Sequence, residues 1–147
     1  MKAREWLARS LEQNDPIDLI TDAWRGFNNL FYNSTGRTEI DKIKNYLSEN
    51  ISEETAQEIL SCYQTEITYR ISQPVIDMRG NGRDTAKSID DYNSSDIYLD
   101  KLRALFTIIY QVRCNLEHGQ KSPTRQRDIQ LCSSCWPLVA EIVDKNT

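Results

Sequence analysis

The stretch Asp15-Pro16-Ile17-Asp18-Leu19-Ile20-Thr21-Asp22-Ala23-Trp24-Arg25-Gly26-Phe27-Asn28-Asn29-Leu30-Phe31 decides the fold. Ile17, Ile20, Trp24, Phe27 and Phe31 recur at alternating spacings of three and four. That period places them on one stripe of a helix of about four turns. Asp15 supplies a side-chain cap, and Pro16 fits the first helical position, where a missing N–H costs nothing. Ser34-Thr35-Gly36 ends the run.

The same period recurs on both sides. A shorter helix is expected over 2–13. Thr38 can cap a helix carrying Ile40, Ile43 and Leu47. Ser52 can cap the next, with Glu53 and Glu54 suited to the positive end of its dipole. Its stripe is Ala56, Leu60, Tyr63 and Ile67, and Pro74 stops it at the latest. Residues 77–95 are polar and contain Arg79-Gly80-Asn81-Gly82-Arg83, which reads as a long surface loop. A long helix then runs from about Asp96 to His118, burying Leu102, Leu105, Phe106, Ile109, Val112 and Leu116, with Gly119 as its natural end. Pro123-Thr124 opens a last helix with the stripe Ile129, Cys132, Trp136, Val139 and Val143, bent at Pro137. No strand-like alternation competes. The expected fold is all-α, an antiparallel bundle of four to five helices in a single domain spanning 1–147.

The chain of 147 residues has 39% apolar and 27% charged residues, an ordinary balance for a water-facing domain with a real core. No apolar run has membrane-spanning length, and Met1-Lys2-Ala3-Arg4-Glu5-Trp6 lacks the apolar centre of a signal peptide, so no membrane partner and a cytoplasmic location are expected. Four cysteines are then expected to stay reduced. The net charge of −4 weighs against a strong non-specific nucleic-acid binder, but it is unevenly spread. Between Lys101 and Arg127 six bases meet only Glu117, a net +5 that leaves −9 for the rest.

That basic window is centred on Ile108-Ile109-Tyr110-Gln111-Val112-Arg113-Cys114-Asn115-Leu116-Glu117-His118-Gly119-Gln120-Lys121, which holds the single histidine. A histidine there has a bland explanation, because a cation at a helix C-terminus gains about 0.3–1 kcal/mol from the dipole. Arg113 can equally form a local ion pair with Glu117, one turn on. However, Arg-x4-His with an enclosed Asn and a following Gly-x-Lys resembles the signature of the HEPN superfamily of small helical ribonucleases. Trp24-Arg25-Gly26-Phe27-Asn28-Asn29-Leu30-Phe31-Tyr32 is similar to a run often seen near the start of such domains. Order and separation fit, so the resemblance spans most of the chain. Cys114 and Glu117 depart from it, since those places are usually polar and apolar or aromatic respectively.

The resemblance implies a metal-independent endoribonuclease, with RNA as substrate and no cofactor. Arg113, Asn115 and His118 would be catalytic, and Lys121 and Arg125 would touch RNA. Histidine suits the proton transfers, because its unperturbed pKa of about 6.5 lies near working pH. Arginine suits the phosphate, because its planar fork stays charged and donates paired hydrogen bonds. Asn115 would orient His118 or touch phosphate. At 100° per residue, Arg113 and His118 sit about 140° apart around a regular helix, so one copy closes a site poorly. The family pairs its motifs across a two-fold interface, which implies a homodimer. A toxin or defence setting, with an antitoxin or regulatory protein as a further partner, comes from the resemblance too. The competing expectation is a non-catalytic HEPN-like module that binds RNA or a nucleotide, or acts as a scaffold. Cys132-Ser133-Ser134-Cys135 has zinc-knuckle spacing but no second close pair, and Cys132 lies on a core stripe, so no metal site is expected.

Overall fold

The computed structural model describes residues 2–77, 79–117 and 126–147, with the side chains of 117 and 126–128 left aside. Among these residues the fold is all-α, a bundle of packed helices. In chain order they are α1 (Lys2–Leu11), α2 (Pro16–Phe31), α3 (Glu39–Asn50), α4 (Glu53–Cys62), α5 (Gln64–Ile71), α6 (Ala86–Ser94), α7 (Tyr98–Glu117) and α8 (Gln126–Lys145).

The capping residues act as their sequence positions suggest. Asp15 Oδ1 accepts from Ile17 N at 2.8 Å, Thr38 Oγ1 from Asp41 N at 3.2 Å, and Ser52 Oγ from Thr55 N at 3.1 Å. Each satisfies a backbone donor that the first helical turn leaves open, worth about 1 kcal/mol. The α2 stripe is the centre of the core: Ile20, Trp24, Phe27 and Phe31 are all buried. Phe27 meets Phe31, Trp24 and Phe106 edge-on, with centroids 4.9, 5.3 and 5.4 Å apart. Edge contact suits the ring quadrupoles better than stacking face to face. The α7 stripe closes over it, with Leu102, Leu105, Phe106, Ile109 and Val112 buried and Leu116 half-buried.

The described helices are eight, against an expected bundle of four to five and six helical stretches marked by periodicity, and two differences account for the two helices beyond those six. The helix expected from Ser52 onward breaks at Tyr63, whose backbone leaves the helical region at φ −112°, ψ 31°. The break lets α4 pack on α7 while α5 packs on α8. The stretch expected to be a loop over 77–95 carries α6 in its second half. Its only large apolar residues are Ile89 and Tyr92, half-buried against the core, too few to give a periodic signal. The first half is a closed turn. Ile76 and Asp84 form an antiparallel bridge, and Thr85 Oγ1 accepts from Val75 N at 2.8 Å. Helix α8 runs through Pro137 without interruption. Gly119 and Pro123-Thr124, read as a helix end and a helix start, lie outside the described residues.

Helices α1 and α2 approach closely at Gly26. A Cβ there would come within 2.8 Å of the Ala3 carbonyl oxygen and 3.4 Å of Trp6 Cβ. This contact sets Trp6 against the α2 face that carries Arg25 and Asn29.

Candidate functional site

Successive residues on the last turns of α7 point in different directions, and the structure gives them different tasks. Arg113 faces α2. Its guanidinium carbon lies 5.9 Å from the Trp24 ring centroid, in cation–π range. It lines a concavity of about 480 Å³ with Trp6, Trp24, Arg25, Asn28, Asn29 and Glu39. The two segments that carry the family resemblance therefore meet in one cleft. The indole Nε1 of Trp24 is buried and has no hydrogen-bond partner among the described residues. A buried donor left unmatched costs about 1–3 kcal/mol.

Asn115 turns the other way and does not line the cleft. It is only 1% exposed. Its Nδ2 donates to the Ile76 carbonyl at 2.9 Å, and its Oδ1 accepts from Gln111 Nε2 at 2.9 Å. It thus ties the 75–85 turn to α7, in a positioning role.

Cys114 stands between the two, beside Tyr110. The Tyr110 hydroxyl donates to Glu39 Oε2 at 3.3 Å. Burial, with Cys114 and then Glu39 close by, pushes that phenol well above its ordinary range, so it is a neutral hydroxyl at any physiological pH. Arg79, on the anchored turn, lies near Cys114 and Tyr110. It is fixed by Asp77, whose Oδ2 accepts from its terminal nitrogen at 2.7 Å. Asp77 is buried, and its hydrogen bonds from Arg79 outweigh the burial and hold its carboxyl far below the usual range.

His118, Lys121 and Arg125 lie outside the described residues, as does the side chain of Glu117, the expected local ion-pair partner of Arg113. Of the expected site residues, the described ones are Arg113, in the cleft, and Asn115, outside it. Glu39 and Trp6 join the cleft without a signal in their local sequence, and Arg25, though inside the α2 run, is not among the expected site residues. Asn28 does have one, since it lies in the α2 run. Chemically the cleft offers two guanidinium groups and two side-chain amides, all able to donate to an anionic oxygen, with Glu39 as its one carboxylate.

Among the described residues no helix is long and apolar enough to cross a membrane. No group of three or more His, Cys, Asp or Glu among them is arranged to hold a metal. Comparison with models of known families, with curated proteins and with solved structures found no match to this chain.

Proposed function

We propose that the protein is a HEPN-type endoribonuclease that cleaves RNA without a metal, with Arg113 and His118 as its catalytic residues. The observation that carries this reading is the meeting of Arg113 with Trp24 and Asn28 in one donor-rich cleft. Two segments that resemble one family signature, some eighty positions apart, supply side chains to the same cleft. In the reaction, His118 takes the proton of the RNA 2′-hydroxyl. The 2′-oxygen bonds to phosphorus, and the bond from phosphorus to the 5′-oxygen breaks. The leaving 5′-oxygen receives a proton from the second copy's histidine motif, and the products are a 2′,3′-cyclic phosphate and a 5′-hydroxyl. Arg113 donates to the phosphate oxygens as their charge grows, a kind of contact worth about 3–4 kcal/mol in such sites. Two copies supply the paired motifs, in a cytoplasmic toxin or defence effector held in check by an antitoxin or regulatory protein.

The test is incubation of the purified protein with structured RNAs in excess EDTA, beside the same sequences carrying 2′-deoxy at the cut position. Cleavage of the RNA alone, leaving cyclic phosphate ends, is expected. Efficient cutting of the 2′-deoxy substrate, or cutting that needs added Mg²⁺, would overturn the mechanism. RNA that is bound but never cut would put the non-catalytic binding module in its place.

A further inference from the structure

Beside the Arg113 cleft lies a second concavity, of about 430 Å³, lined by Lys2, Glu5, Trp6, Arg9 and Asn29. The two share Trp6 and Asn29. Two arginines are held against the shared tryptophan. The guanidinium carbon of Arg25 lies 5.0 Å from the Trp6 ring centroid and that of Arg9 lies 5.5 Å from it. Both are also tethered to Asp22. Arg25 reaches its Oδ1 at 3.0 Å, and Arg9 reaches its Oδ2 at 3.6 Å, where Gln13 also donates at 3.1 Å.

Exposure sorts these charges. The Asp22 side chain is 6% exposed, whereas those of Arg9 and Arg25 are 61% and 50% exposed. The carboxylate lies underneath and the cations face outward. Asp22 and Trp6 together fix two flexible side chains in place, so little rotamer entropy remains to be lost when a ligand binds. With Arg113 of α7 they give the two adjoining concavities three guanidinium groups, in a chain whose overall charge is −4. Several forks spread over adjoining concavities suit a polymer of phosphates better than a single anion.

We propose that Arg9 and Arg25, braced by Trp6 and Asp22, are a phosphate-binding track for the single-stranded RNA backbone leading away from the Arg113 cleft. The proposal rests on the ribonuclease reading for the identity of the polymer. Asn29, shared by both concavities, offers an amide to the sugar or phosphate at their junction.

The test measures binding apart from cutting. A fluorescent 2′-O-methyl oligonucleotide long enough to cross both concavities is titrated by anisotropy over a range of salt. Arg9→Gln and Arg25→Gln are each expected to weaken binding about tenfold and to reduce the slope of log affinity against log salt by about 0.7. Trp6→Leu is expected to weaken it too, since the guanidiniums lose their ring support. Lys87→Gln, an exposed cation on α6, is expected to leave both readings unchanged. Circular dichroism checks that every variant keeps its helices. Variants that bind like the wild type while the wild type cuts RNA would overturn the track and leave the ribonuclease standing. A protein that shows these losses of binding but never cuts RNA would keep the track and overturn the ribonuclease. A wild type with no salt-dependent binding of the oligonucleotide overturns the track outright.

Discussion

The Arg113 guanidinium sits over Trp24, 5.9 Å from the ring centroid, so a half-buried cation of α7 is anchored on a buried ring of α2. Such contacts are worth about 0.5–2 kcal/mol. Their larger effect here is directional, because a planar cation on a fixed ring has few orientations open to it.

Arg113→Lys is therefore expected to be almost as damaging to RNA cleavage as His118→Ala. A lysine keeps the charge but loses both the fork and the planar fit to Trp24. We expect kcat to fall by about 10²–10³ for Arg113→Lys, and nearly all activity to vanish for His118→Ala, with helical content unchanged in both. A fully active His118→Ala protein would falsify the assignment.

Asn115→Ala separates structure from chemistry. It removes the Nδ2 donor from the Ile76 carbonyl and leaves buried polar groups unmatched, at about 1–3 kcal/mol. The melting temperature should fall while kcat, measured where the variant is folded, stays close to that of the wild type. A collapse of kcat with an unchanged melting temperature would return Asn115 to the catalytic group.

Gly26→Ala sets two effects against each other. Inside a helix the change ordinarily gains about 1 kcal/mol. Here the added carbon would lie 2.8 Å from the Ala3 carbonyl oxygen, a backbone atom that moves only with α1. Overpacking of this kind costs about 1–3 kcal/mol, so the net change should be destabilising. Calorimetry should show a lower melting temperature, and Trp6 fluorescence should shift as α1 moves. A raised melting temperature would show that α1 yields freely.

Alkaline pH should weaken the fold through its tyrosines. Burial first, then the hydrogen bond to Glu141 at 2.9 Å, pushes the Tyr63 phenol from 10.0 up to about 12. Between those values the folded state holds a proton that the unfolded state has lost, so stability falls as pH rises. The contribution is complete below pH 10 and gone above about 12. Urea midpoints across this window should fall less steeply for Tyr63→Phe. Some fall should remain, because Tyr46, Tyr92 and Tyr110 are raised by burial as well. An identical slope in the variant would mean that Tyr63 ionises alike in both states.

Sedimentation should report roughly twice the 17.1 kDa mass of one chain at micromolar concentration. The expectation comes from the family resemblance, and from the angle of about 140° by which positions 113 and 118 would differ on a regular helix, which favours a site completed by a second copy. A monomer both with and without RNA would sink the composite site.

Sequence alone determined what depends on neighbours along the chain. Asp15, Thr38 and Ser52 cap their helices because a cap needs only a backbone N–H two or three residues ahead. The stripe Ile20, Trp24, Phe27 and Phe31 is buried because one helical period already puts those residues on one face. Arg113 and the α2 run stood out as candidates only through their resemblance to a family signature, which is also a local pattern of residues. Tertiary structure decided everything that joins distant segments. Helix α7 begins at Tyr98 because the Glu53 carboxylate, forty-five residues earlier, accepts from Tyr98 N and Leu99 N at 2.9 and 2.8 Å. Tyr63 breaks a continuous stripe because α4 and α5 lie on different helices. Asn115, a site residue by its motif, also holds the carbonyl of Ile76, thirty-nine positions away. Helix α6 has too few apolar residues to announce itself and depends on α7 to cover Ile89 and Tyr92. Which face of α7 meets which ring or carbonyl is set by how the helices pack, and no local pattern of residues encodes that.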